Sequence, residues 1–137
     1  MKLIISTIVS TIVIFMLGWL GYGIILKDFF VLMSKFMRPE NDMKWWALIL
    51  GHLLQGLLLS YFYMKIYKGE SPFGEGFKYG FSVGLLISLP YLFFMWSSYN
   101  VTYQEAIVDA VYMGIRYLIA GIVIGLVFGK KAKSDTA

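Results

Sequence analysis

Residues 3–26 read LIISTIVSTIVIFMLGWLGYGIIL, and no acidic or basic side chain interrupts them. At about 1.5 Å of rise per residue, a helix of this length covers the roughly 30 Å hydrocarbon core of a bilayer. Residues 45–64, WWALILGHLLQGLLLSYFYM, are equally free of Asp, Glu, Lys and Arg. A third apolar segment runs from about Tyr79 to Trp96, and a fourth from about Ala106 to Gly129 with only Asp109 and Arg116 inside it. The expectation is one all-α, polytopic four-transmembrane-helix bundle filling the chain, with spans at about 3–26, 45–65, 77–98 and 105–129. Composition agrees: 59% hydrophobic residues, 15% charged and a mean hydropathy of +0.73 depart from the profile of a soluble domain.

Met1-Lys2 and the apolar run behind it have the outline of a secretory signal. The run is long for one, lacks a small-x-small cleavage site and leads into further spans, so it reads as a retained first helix. Cysteine is absent, which excludes disulfides, iron–sulfur clusters and thiol nucleophiles.

The net charge of +4 is accounted for by topology and requires no nucleic-acid partner. With the N-terminus inside, the inner segments carry Lys2, Lys65, Lys68, Lys78, Lys130, Lys131 and Lys133. The outer segments carry Lys27, Lys35, Arg38 and Lys44, and seven against four favours both termini in the cytoplasm. The first outer loop holds Phe29, Leu32, Met33, Phe36 and Met37 at helical spacing, the pattern of a short interfacial helix. Trp45, Trp46, Trp96, Tyr99 and Tyr103 suit an outer aromatic belt; Tyr61, Tyr63, Tyr67, Phe73 and Phe77 suit an inner one. Gly69-Glu70-Ser71-Pro72 reads as a tight polar turn.

Glycine spacing marks helix packing. Gly76, Gly80 and Gly84 form one ladder, and Gly121, Gly125 and Gly129 another, at matching depth in the inner half. Bare backbones let membrane helices approach closely, so the third and fourth helices are expected to touch there.

Chemistry concentrates on the fourth helix. Glu105, Asp109, Tyr112 and Arg116 recur at i, i+4, i+7 and i+11 and share one narrow face. Arg116 lies ~16 Å deeper than Glu105, near mid-bilayer, where a charge must be paired or hydrated. His52 and Gln55 on the second helix, Trp19 and Tyr22 on the first and Tyr91 on the third fall in the same outer half. Together they outline an outward-facing polar cup, which Pro90 would open by releasing the Leu86 carbonyl. The alternative is a satisfied polar network that fixes helix register. One His with carboxylates and no second His or Cys makes a poor metal site, so no metal or cofactor is expected. No Ser–His–Asp spacing, H-E-x-x-H, phosphate loop or dinucleotide fingerprint occurs, which argues against an enzyme. Gly18-x2-Gly21-x-Gly23 lacks the strand context of a nucleotide loop and reads as helix packing.

With Gly18-Trp19-Leu20-Gly21-Tyr22-Gly23, Gly51-His52-Leu53-Leu54-Gln55-Gly56 and the third-helix glycines in view, the whole chain resembles a family of small bacterial four-helix integral membrane proteins of unknown function. Family members often carry a glycine–tryptophan–tyrosine run late in helix one, whereas Leu20 and Gly21 separate Trp19 from Tyr22 here. The resemblance implies a bacterial inner-membrane protein and supplies no catalytic residues. The function expected is a non-catalytic interaction protein or accessory subunit of a membrane complex, whose partners are lipid and other membrane subunits or a second copy. The alternative is a small-molecule binder or transporter using the pocket around Arg116.

Overall fold

The computed structural model describes residues 1–30, 35 and 38–130. Four helices are long and apolar enough to cross a membrane, and among the described residues there is no strand. Helix α1 covers Lys2–Leu20 and continues as a single π-helical turn, Gly21–Ile25; α2 is Trp45–Ile66, α3 Pro72–Ser98 and α4 Tyr103–Phe128. Most of the interfacial helix expected in the first outer loop falls on positions 31–34, 36 and 37, outside the described residues, as does the tail from 131 onward. What is described of that loop includes a short 3-10 turn, Glu40–Asp42, with Asp42 paired to Arg38 at 3.2 Å and to Lys44 at 3.1 Å on the surface.

Two helices start earlier than apolarity alone indicates, and in both cases the reason is a cap. Helix α3 begins at Pro72, five residues before the expected 77, because Pro fits the first helical turn and the Ser71 side chain accepts a hydrogen bond from Gly74 N at 3.3 Å. The Glu75 carboxylate then gathers the N–H groups of Lys68, Gly69, Glu70 and Ser71 at 2.8–3.1 Å, which closes the turn expected at 69–72. Helix α4 opens on a capping box: Glu105 N donates to Thr102 Oγ1 at 3.2 Å, and Thr102 N donates to Glu105 Oε2 at 2.8 Å.

The helices form two hairpins, α1–α2 and α3–α4, joined through α1 and α4. The α3–α4 contact is the most extensive, α1 packs on both α2 and α4, and α2 and α3 stand apart. Their main bridge is Tyr79, whose hydroxyl donates to the Leu59 carbonyl at 2.7 Å. An apolar cleft of about 570 Å³ runs between them, with Leu54, Leu58, Phe62, Val83 and Leu86 among its walls.

The glycine seam lies between α3 and α4. A β-carbon on Gly80 would come within 2.7 Å of the Tyr117 and Leu118 carbonyls, and one on Gly121 within 2.4 Å of Gly80 Cα. Gly76 abuts Gly121, Gly125 abuts the Pro72 carbonyl, and Gly84 faces Gly114. Gly114 thus extends the α4 side of the seam outward. Gly129, expected within the ladder, instead ends α4 as its C-cap with φ +66, a conformation that L side chains rarely adopt.

The core lies toward the end of the bundle that holds both ends of the described chain: Ile14, Leu59, Tyr63, Tyr79, Ala120, Ile124 and Phe128 are buried together. Tyr63, expected in the inner aromatic belt, has no exposed surface and sits edge-on to both Tyr79 and Phe128. The last carbonyls of α4 find donors outside the helix, Lys2 Nζ to Phe128 O at 2.5 Å and Tyr67 Oη to Gly129 O at 2.5 Å.

Candidate functional site

The polar face of α4 meets α1. Asp109 is 1% exposed, and its Oδ1 accepts a hydrogen bond from the Tyr22 hydroxyl at 2.5 Å. The Tyr91 hydroxyl from α3 is turned toward the same carboxyl. One turn deeper, Tyr112 donates to the Leu17 carbonyl at 2.6 Å, and below it Arg116 Nη2 donates to the Ile14 carbonyl at 2.9 Å. The Arg116 guanidinium carbon lies 5.7 Å from the Tyr22 ring centroid, a cation–π contact.

Tyr22 therefore stands between the two charges, with its hydroxyl on the acid and its ring facing the base. Arg116 and Asp109, though they share a helix face, do not form a direct ion pair. Among the described residues, the ion pairs within 4.0 Å are those of Asp42 alone. The cause is local backbone. Gly18 leaves a slot on α1 that Arg116 enters: a β-carbon there would lie 2.7 Å from Nη2. Gly21 does the same for Tyr112, whose ring would be 2.1 Å from an added β-carbon. The guanidinium thus lies against the α1 backbone, where a carbonyl already lined by the slot accepts its proton. Two buried polar atoms of this site, Asp109 Oδ2 and Arg116 Nε, lack a partner in hydrogen-bond geometry among the described residues, as do Ser60 Oγ and Tyr63 Oη elsewhere in the bundle.

The other expected residues are distributed among separate places rather than one cup. His52 lies across from Arg116 on α2; its Nδ1 donates to the Leu48 carbonyl at 2.8 Å and its ring stands edge-on to Phe15 at 5.5 Å. Trp19 is half exposed at the rim of the same region. Gln55 is drawn to a different partner, its Nε2 donating to the Tyr117 hydroxyl at the floor of the α2–α3 cleft. Glu105 is buried in the cap of α4, with Oε2 also accepting from the Thr102 hydroxyl at 2.9 Å.

A cavity of about 350 Å³ remains between the C-terminal half of α1 and the N-terminal half of α2, with Phe15, Trp19, Trp45, Leu48, His52 and Arg116 among its walls. Among the described residues, no three His, Asp or Glu side chains gather in a set able to hold a metal ion. Residue-type reasoning overlooked Gly18, Gly21 and Tyr117 as members of this site. The signal available was Gly18-x2-Gly21, one helical turn apart and at the depth of Tyr112 and Arg116. Compared with family models, curated proteins and solved structures, the chain matches none.

Proposed function

We propose that this chain is a four-span protein of the bacterial inner membrane, with both termini cytoplasmic, that acts as a non-catalytic interaction protein, an accessory subunit of a larger membrane complex. The observation that carries this reading is the parting of α2 from α3. Neighbouring spans of a self-sufficient four-helix bundle bury their facing sides, yet here an apolar cleft of about 570 Å³ lies open. Gly51 lies at its edge, exposed, and a β-carbon added there would meet nothing within 4 Å. A bare glycine beside Leu54 and Leu58 gives another transmembrane helix a place to approach closely, the kind of surface on which such helices associate by van der Waals packing. Meanwhile most of the polar groups on α4 are engaged within the chain, which suits a framework better than a reaction centre.

The test is extraction of the native membrane in mild detergent or nanodiscs, followed by mass spectrometry of what remains with the tagged chain. Stoichiometric recovery of other integral subunits, lost on Gly51→Trp without loss of helicity, is the expected result. Recovery of the chain by itself would overturn the accessory role.

A further inference from the structure

The cavity between α1 and α2 combines features that the accessory role leaves unused. Its walls are mainly apolar and aromatic, with Phe15 and Trp19 from α1 and Trp45 and Leu48 from α2. Its polar groups are few and converge: the Arg116 guanidinium from α4 and the His52 imidazole from α2. Arg116 is a permanent cation. One of its nitrogens holds the Ile14 carbonyl, while the buried Nε holds nothing among the described residues. Among the described residues no carboxylate lies within ion-pair distance of the guanidinium, and Asp109 on the same helix face is held by Tyr22. A backbone carbonyl and an aromatic face stabilise a guanidinium less than an anion does, and in a low-dielectric setting the difference is large. Because Nδ1 of His52 donates to Leu48, Nε2 of the neutral ring is an acceptor, which leaves Arg116 as the group in the cavity that can hold an anionic oxygen.

An occupant that fits has one negative oxygen-bearing head and an apolar body. We propose that this cavity binds a single monoanionic amphiphile, its carboxylate or phosphate oxygens on Arg116 and its alkyl chain running out between Trp19 and Trp45. This inference is independent of the accessory role: the cavity lies on the α1–α2 side, away from the α2–α3 cleft. A free fatty acid and an anionic phospholipid offer the same head chemistry from two sources.

The cavity indoles supply the readout. With Trp46→Phe and Trp96→Phe removing the other two, the full chain in non-ionic maltoside micelles is titrated with dibromostearate, a bromine quencher of tryptophan emission. The matching dibromo-alcohol, of equal chain length and no charge, is the reference. The acid should quench saturably at about one per chain and at a concentration about tenfold below the alcohol, the scale of one charge-assisted hydrogen bond. Arg116→Gln should erase that tenfold preference. Because Arg116 also attaches α4 to α1, a second variant guards against simple misfolding. Gly23→Leu fills the cavity while leaving Arg116 in place, since an added β-carbon there meets Trp19 Cδ1 at an ordinary 3.6 Å; it should abolish saturable quenching with helicity intact. Brominated phosphatidylglycerol in place of the acid separates the sources: saturation by it marks a phospholipid site, and saturation by the acid alone marks a fatty-acid site. Equal quenching by acid and alcohol, or an acid preference that survives in folded Arg116→Gln or Gly23→Leu, overturns the proposal.

Discussion

At the residue scale, the fold turns on how a few polar side chains in apolar surroundings find partners. Tyr22 is the clearest case, because a phenol alone can give a hydroxyl to Asp109 and a ring to Arg116 from one position. Tyr22→Phe keeps the ring and strips Asp109 Oδ1 of its donor, leaving the buried carboxyl to the Tyr91 hydroxyl turned toward it. It should cost about 1–2 kcal/mol, read as a lower midpoint in detergent unfolding followed by circular dichroism. Glycine substitutions separate slot from surface in the same assay. Gly121→Ala drives a β-carbon into the Gly80 backbone, which cannot swing aside as a side chain can, and should cost about 1–3 kcal/mol. Gly51→Ala meets nothing and should stay within about 0.5 kcal/mol of the parent. Equal effects of the two would show that the α3–α4 seam is not held by backbone proximity.

At the element scale, the starts of α3 and α4 are set by caps rather than by hydrophobicity. Thr102 and Glu105 satisfy the first N–H groups of α4, and Thr102→Ala should destabilise by about 1 kcal/mol. On the α2–α3 connection, Glu75 plays a wider part, since its carboxylate accepts four backbone N–H groups from positions 68–71. Glu75→Ala releases all four. Hydrogen exchange at those amides should become fast, while amides in the middle of α3 keep their protection; unchanged exchange at 68–71 would mean that the turn stands without the carboxylate. The π-helical turn at Gly21–Ile25 belongs to this scale too, as it ends α1 where Tyr22 meets Asp109 and Tyr112.

At the scale of the whole molecule, the arrangement is two hairpins fastened along α1 and α4, with the half nearest Lys2 and Phe128 packed on glycine and aromatic residues and the opposite half held by polar contacts. The opening between α2 and α3 follows from this, because each is committed to its own hairpin partner and Tyr79 bridges the gap to Leu59. In the orientation we propose, the 68–71 turn lies in the cytoplasm and the α3–α4 turn outside. The chain contains no cysteine, so single replacements report cleanly. A membrane-impermeant thiol reagent applied to intact spheroplasts should label Asn100→Cys and leave Glu70→Cys untouched until the membrane is broken; the reverse pattern would invert the topology.

The four helices were legible from the sequence because long uncharged runs are a property of consecutive residues; the Ser71 and Thr102 caps that set where α3 and α4 begin are equally local, but apolarity does not show them. So was the shared face of Asp109, Tyr112 and Arg116, which helical periodicity alone aligns. Which partners those residues take was decided by tertiary structure. Arg116 turns to Ile14 because Gly18 leaves room beside it, Gln55 turns to Tyr117 rather than into the cavity, and Glu105 turns back to cap its own helix. A polar side chain inside an apolar bundle takes the nearest sterically open partner, and steric openness depends on which backbone from a distant part of the chain lies alongside.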